Sequence, residues 1–104
     1  NGYFIFNHDV AIVSEPKLLE VSNYFNLYLK ENYNFELSNN NSSKKITFKI
    51  DDSINNDEGY ELDVSKNDIT IKSKYAKGAF YAVQSLLQLF PLPSSANTFK
   101  IACW

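Results

Sequence analysis

The sequence predicts an α+β domain, a two-layer sandwich in which a mixed β-sheet carries two amphipathic helices on one face. Three observations predict it. Leu18, Val21, Phe25, Tyr28 and Leu29 recur at spacings that fall on one face of a helix. Ile46, Phe48 and Ile50 alternate with Thr47 and Lys49, and Tyr60, Leu62 and Val64 alternate with Glu61, Asp63 and Ser65, the period-two pattern of strands with one buried side. A second helical stripe then runs through Ala76, Phe80, Val83, Leu87 and Phe90. Two apolar helix faces require one apolar sheet face to cover, and the strands supply it.

Taken in order, Tyr3-Phe4-Ile5-Phe6 and Val10-Ala11-Ile12-Val13 are two short strands separated by the polar turn Asn7-His8-Asp9. Ser14-Glu15-Pro16 opens a helix, with Ser14 or Glu15 able to cap it and Pro16 tolerated in a first turn, where its missing N–H has no helical partner. This helix is expected to run to about Glu31. Phe35-Glu36-Leu37 reads as a brief strand, and Ser38 to Ser43, without an apolar residue, as a surface loop that tolerates insertion.

After the 46–50 strand comes the acidic loop Asp51 to Glu58. The strand at Tyr60, a turn at Lys66-Asn67-Asp68 and a strand containing Ile69 and Ile71 then make the clearest hairpin in the chain. The second helix starts near Tyr75 and is stopped by Pro91 and Pro93. A loop from Pro93 to Asn97 leads to Phe99-Lys100-Ile101-Ala102-Cys103-Trp104, a final strand or the start of a linker.

The 104 residues suit one domain, 1–104, and are too few for a barrel of roughly 250 residues. Eight Phe, seven Tyr and one Trp can close a core without disulfides, which a lone Cys103 cannot form within the chain. Ten basic residues against twelve acidic ones, with no basic run longer than Lys44-Lys45, exclude a nucleic-acid partner. No apolar stretch approaches the ~20 residues of a membrane span, and no signal-peptide pattern opens the chain, so a soluble chain is expected. A start at Asn1 and a stop at Trp104 read as a piece of a longer polypeptide.

Candidate functional residues are sparse. His8 is the only histidine, so no zinc motif, histidine pair or Ser-His-Asp triad can be assembled, and it reads as a turn residue. Cys103 has no neighbouring base to make it a thiolate and reads as structural. The loop Asp51-Asp52-Ser53-Ile54-Asn55-Asn56-Asp57-Glu58-Gly59 has the composition of a calcium loop, but Ile54 and the spacing of its Gly and Glu break that pattern. Asp57-Glu58 lacks any visible means of raising one carboxyl pKa for glycoside chemistry. Gly78 has no second glycine at phosphate-loop spacing and is expected to let a helix approach the sheet. Tyr24, Tyr33 and Trp104 fall off the main stripes and are the candidates for sugar stacking at a surface. Asn40 and Asn41 each begin an N-x-Ser/Thr sequon, which an Asn-rich run generates by chance. No catalytic, metal or cofactor residue, and no cofactor, is expected.

The segment Gly59 to Pro91, GYELDVSKNDITIKSKYAKGAFYAVQSLLQLFP, carries a family resemblance. Its Gly59-Tyr60-Glu61-Leu62 strand, Ile69-Thr70-Ile71 strand and helix with Gly78, Phe80, Tyr81, Gln84, Leu86, Gln88 and Leu89 resemble the domain that precedes the barrel in β-N-acetylhexosaminidases of glycoside hydrolase family 20. The first half is similar more loosely, and the Ile-Pro-x-Pro opening of that pattern is not found at Asn1. The resemblance implies a zincin-like fold without zinc. It also implies a parent enzyme that removes terminal N-acetylglucosamine or N-acetylgalactosamine by substrate-assisted catalysis, with its Asp-Glu pair in the barrel. This domain would be a non-catalytic accessory whose partner is the C-terminal (β/α)8 barrel of the same chain. It would meet glycan only through that parent, a periplasmic or extracellular protein. Equivalent domains of family 84 O-GlcNAc hydrolases and of α-glucuronidases are similar but less close. Two other classes stand beside this one: an independent carbohydrate-binding module, which calls for exposed coplanar aromatics, and a self-contained enzyme.

Overall fold

The computed structural model describes residues 2–93 and 97–104. Strands β1 (Tyr3–Phe6) and β2 (Ala11–Ser14) are followed by a single 3-10 turn at Pro16–Leu18 and helix α1 (Leu19–Tyr33). Then come β3 (Lys45–Ile50), β4 (Tyr60–Val64), β5 (Asp68–Ser73), α2 (Ala76–Leu87) and β6 (Phe99–Ala102). The expected loop at Pro93 to Asn97 lies partly outside the described residues.

The main sheet has the order β2-β3-β5-β4, with β2, β3 and β5 parallel and β4 antiparallel to β5. Its alternation is the one anticipated. Ile46, Phe48, Leu62, Val64, Ile69 and Ile71 are buried beneath the helices, while Lys45, Lys49, Glu61 and Asp63 point to solvent from the other face. The α+β sandwich with both helices on one sheet face is therefore the observed architecture. A second, two-stranded sheet was not anticipated: β1 and β6 pair antiparallel, Tyr3 opposite Ala102 and Phe6 opposite Phe99. Phe99 to Trp104 thus begins as a strand, and the opening strand is present without the Ile-Pro-x-Pro pattern. Beyond it, Cys103 N–H donates to Gly2 O at 3.1 Å, and Trp104 exchanges two backbone hydrogen bonds with Val64, at 2.8 and 2.9 Å, which ties the small sheet to the edge of the large one.

An aromatic cluster fills the space where the small sheet meets the helices. The Phe6 ring stacks on Phe99 with centroids 5.5 Å apart and planes 6° from parallel, and it lies 5.2 Å from Phe90 and 6.0 Å from Phe35. Phe25 meets it edge-on at 6.2 Å. Such tilted and edge contacts suit the ring quadrupole and each add about 0.5–1.5 kcal/mol beyond area burial.

The first helix differs from expectation at both ends. Neither Ser14 nor Glu15 caps it through a side chain; the Glu15 carboxylate instead accepts Ile50 N–H at 2.8 Å, clasping the end of β3. The helix runs two residues past Glu31, and Asn34 ends it in the left-handed region at φ 65°, a conformation Asn tolerates better than most residues. The brief strand expected at Phe35-Glu36-Leu37 does not form. The Asn26 side chain accepts Leu37 N–H at 2.7 Å and donates to Leu37 O at 2.9 Å, so that residue has no backbone group free for a ladder. Only one bridge, Ala11 to Ser38, reaches β2.

The second helix is rolled relative to the predicted stripe. Its buried residues are Gly78, Ala79, Ala82, Val83 and Leu86, whereas Phe80 is 39% exposed and Ala76 and Leu87 are half-buried. Small residues face the sheet because the helix lies close to it. A side-chain carbon at Gly78 would run into the Gly59 carbonyl oxygen and press on Ser73. The helix also stops at Leu87, earlier than the prolines require, and two tight turns, Leu89 N–H to Leu86 O and Phe90 N–H to Leu87 O, swing Phe90 into the core.

Gly78→Ala is expected to lower unfolding free energy by ~1–3 kcal/mol, because the obstacle is backbone and cannot swing aside; urea denaturation measures it. Asn26→Ala, which orphans both backbone groups of a buried residue, is expected to cost ~1–3 kcal/mol and to raise hydrogen exchange at Leu37.

Candidate functional site

The fold scatters most of the sequence candidates. His8 is exposed in the Asn7–Asp9 turn, its Nδ1 3.3 Å from Asp9, while Asn7 Oδ1 accepts Asp9 N–H at 2.9 Å. Cys103 is a half-buried free thiol at the end of β6. Asn40 and Asn41 are exposed in the 38–43 loop, where Asn40 Oδ1 accepts Ser42 N–H at 2.8 Å. Among the described residues no three His, Cys, Asp or Glu side chains are grouped to hold a metal ion.

The acidic loop is organised by its own turns. Asp51 Oδ1 accepts Ser53 Oγ–H at 2.6 Å and Ser53 N–H at 3.0 Å. These two hydrogen bonds, with Lys72 and Lys49 adding to them, hold its carboxyl below the ordinary carboxylate range. Asn56 Oδ1 accepts Glu58 N–H at 2.8 Å, and Glu58 pairs with Lys77 at 2.8 Å. That pair raises the Lys77 ammonium above its usual value, chiefly through the hydrogen bond. Asp57 and Glu58 therefore stand in a solvated rim beside the start of α2, with no enclosed cleft between them.

Tyr33 is corrected from surface candidate to core residue. It is 3% exposed, packs 5.2 Å from Phe99 and donates its hydroxyl to Pro91 O at 2.6 Å. Burial, with Tyr28 adding to it, raises its phenol pKa. The expected end of the helix at about Glu31 left Tyr33 outside it; α1 continues to Tyr33, which follows Phe25 and Leu29 at spacings of four on the buried side.

Tyr24 and Trp104 do reach the surface, in different places. The Tyr24 ring lies 5.1 Å from Phe80 of α2 with planes 48° apart, and Gln84 Nε2 approaches its hydroxyl at 3.5 Å. Between the helices a groove of about 380 Å³ is walled by Glu20, Val21, Tyr24, Ala76, Lys77 and Phe80. Trp104 borders a second cleft of about 340 Å³ with Tyr60, Leu62, Ser85, Gln88 and Leu89, where the Tyr60 and Ser85 hydroxyls share a hydrogen bond of 2.6 Å. The sequence stripe had placed Phe80 in the core, so it missed the groove. The available signal was the composition of α2, in which Lys77 is the sole charged residue.

The family model described as glycosyl hydrolase family 20, domain 2, matches residues 1–103. The chain belongs to this family as its domain 2. No curated protein matches the domain. Among solved structures, domain 2 is similar to the GH20 exo-β-N-acetylglucosaminidase from Vibrio harveyi in complex with N-acetylglucosamine, at 26% identity and TM-score 0.82, covering 99% of this chain and 16% of that one. The GH20 β-N-acetylhexosaminidase from Streptomyces coelicolor shares the fold at TM-score 0.84 and 20% identity, over 99% of this chain and 22% of that one. The structure named CpGH84D shares it at TM-score 0.69 and 21% identity, over 97% and 20%. Domain 2 thus spans about a fifth or less of the length of these two family 20 relatives, in which it is one part of a larger chain. No helix among the described residues is long and apolar enough to cross a membrane.

Asp51 yields a titration test. Its folded pKa is depressed, so the loop's contribution is present above the unfolded pKa and is lost as pH falls through the folded one. Ser53→Ala is expected to move the Asp51 carboxyl back up toward the ordinary range, read by NMR titration of its side-chain carbon.

Proposed function

We propose that residues 1–104 form a single non-catalytic accessory domain of an exo-β-N-acetylhexosaminidase. The parent chain hydrolyses terminal non-reducing N-acetylhexosamine residues, and this domain packs against its C-terminal (β/α)8 barrel. The observation that carries the reading is the match of domain 2 across residues 1–103, joined to 26% identity with an exo-β-N-acetylglucosaminidase. In this reading the catalytic Asp-Glu pair belongs to the barrel, and substrate reaches the domain only through the parent. The domain's contribution to activity is mechanical support: burying apolar surface against the barrel keeps barrel helices and loops in place. No cofactor enters the reaction, and the parent works outside the cytoplasm, in the periplasm or medium.

A carbohydrate-binding module would present its aromatics as one flat platform. The exposed pair Tyr24 and Phe80 is tilted by 48°, which favours side-chain packing over sugar stacking.

The test compares the full-length parent with the 1–104 segment on a chromogenic N-acetylglucosaminide. Turnover by the parent and none by the segment is the expected outcome. A parent that does not cleave the substrate, together with sugar binding by the segment, would move the assignment to a binding module.

A further inference from the structure

The main sheet has four strands, and β4 forms one of its edges. Alternate residues of an antiparallel strand turn their N–H and C=O groups to opposite neighbours. Ser65 N–H donates to Asp68 O at 2.8 Å, so Ser65, and Asp63 and Glu61 two and four residues before it, bond toward β5. Val64, Leu62 and Tyr60 therefore present their backbone groups to the edge. Val64 is paired there, through its two bonds with Trp104 at 2.8 and 2.9 Å. The edge groups of Leu62 and Tyr60 have no backbone partner among the described residues. A row of that kind is a template for one more strand.

The chain leaves the small sheet along that row. Trp104 and Val64 exchange both of their bonds, which makes them a hydrogen-bonded antiparallel pair. Continued in that register, the second residue beyond Trp104 falls opposite Leu62 and the fourth opposite Tyr60. Residues opposite each other share a face of the sheet. Leu62 and Val64 point beneath the helices, so the second residue beyond Trp104 points there too, into the cleft of about 340 Å³ that Trp104 borders with Tyr60, Ser85 and Leu89.

We infer that the segment directly following Trp104 adds to β4 as a fifth strand of the main sheet and seats an apolar side chain, its second, in this cleft. The inference rests on the accessory-domain reading, in which the polypeptide continues from Trp104 to the barrel. Such a strand joins the two sheets into one, with β6 and its extension lying between β1 and β4. The connection to the barrel is then held by backbone hydrogen bonds and sets the domain's orientation, which a flexible tether does not do. A second copy fits less well, because pairing β4 with β4 would displace Trp104 from Val64.

The experiment follows amide hydrogen exchange at Leu62 in the full-length protein. Proline is placed at the second residue beyond Trp104, whose N–H points at Leu62 O, or at the third, whose N–H points away from β4. The first variant is expected to speed exchange at Leu62 by about tenfold or more, and the second to leave it unchanged. Exchange at Phe48 in β3 verifies that the sheet remains folded; should it open in the first variant, Ser85→Phe, which fills the cleft from α2, carries the test with the same expected rise at Leu62. Equal effects of the two prolines, or a wild-type Leu62 amide that exchanges as fast as an unpaired one, overturn the inference. So does a charged side chain at the second residue beyond Trp104, or protection of Leu62 that rises with protein concentration as a dimer forms. Turnover of the chromogenic N-acetylglucosaminide by the same samples tests the parent's activity separately, so a protected Leu62 in a parent without turnover removes that assignment and keeps the strand.

Discussion

Phe6 is the residue on which the small sheet, the first helix and the segments that follow both helices converge. It reaches Phe99 across the small sheet, Phe25 on α1, Phe35 after that helix and Phe90 after α2, all with centroids between 5.2 and 6.2 Å. Phe90 and Phe99 in turn meet at 5.0 Å, and Tyr33 touches both. Without this cluster the small sheet would be a two-stranded ribbon, which is marginal in water by itself. With it, β1 and β6 become a lid over the end of the helix layer. Tyr33 closes the lid by donating to Pro91 O, so a polar atom inside the cluster is satisfied at 2.6 Å.

The main sheet rests on a second constraint, close approach of α2. Gly78, Ala79 and Ala82 let that helix lie near Gly59 and Ser73, and the Ser73 hydroxyl, buried there, has no hydrogen-bond partner among the described residues. Small residues inward leave the large ones outward. Phe80 and Tyr81 are exposed because the inward positions are taken by residues that fit a narrow gap, and the apolar outer face is the other side of tight inner packing. In the first helix Phe25, Leu29 and Tyr33 are large and point in, and the charges of Glu20, Lys30 and Glu31 stay outside beside the exposed Leu19, Tyr24 and Leu27.

The sequence made the sandwich legible because β3, β4 and β5 obey period two: Ile46, Phe48, Leu62, Val64, Ile69 and Ile71 all lie inward. The family resemblance carried by Gly59 to Pro91 coincides with the match over residues 1–103. Three features were not legible, each for a physical reason. Pairing of β1 with β6 joins the two ends of the chain, and no local pattern encodes a partner that distant. The loss of a strand at Phe35-Leu37 turns on one side chain, Asn26, satisfying the backbone of a residue eleven positions away. The roll of α2 could not be read from apolar spacing, because Ala79 and Ala82 count for little on a hydropathy scale yet decide which side lies against the sheet.

The antiparallel pairing of Tyr3 with Ala102, extended by Cys103 N–H to Gly2 O, sets the two ends of the described chain side by side. Tension drawn between those ends acts across the ladder and not along it. The bonds of β1 and β6 would then open in succession from Gly2 toward Phe6, like a zip and not like two ropes sliding, and each bears the load alone. The stacked Phe6 and Phe99 rings lie at the closed end of that zip, so the aromatic cluster is the last obstacle before the helix layer is uncovered.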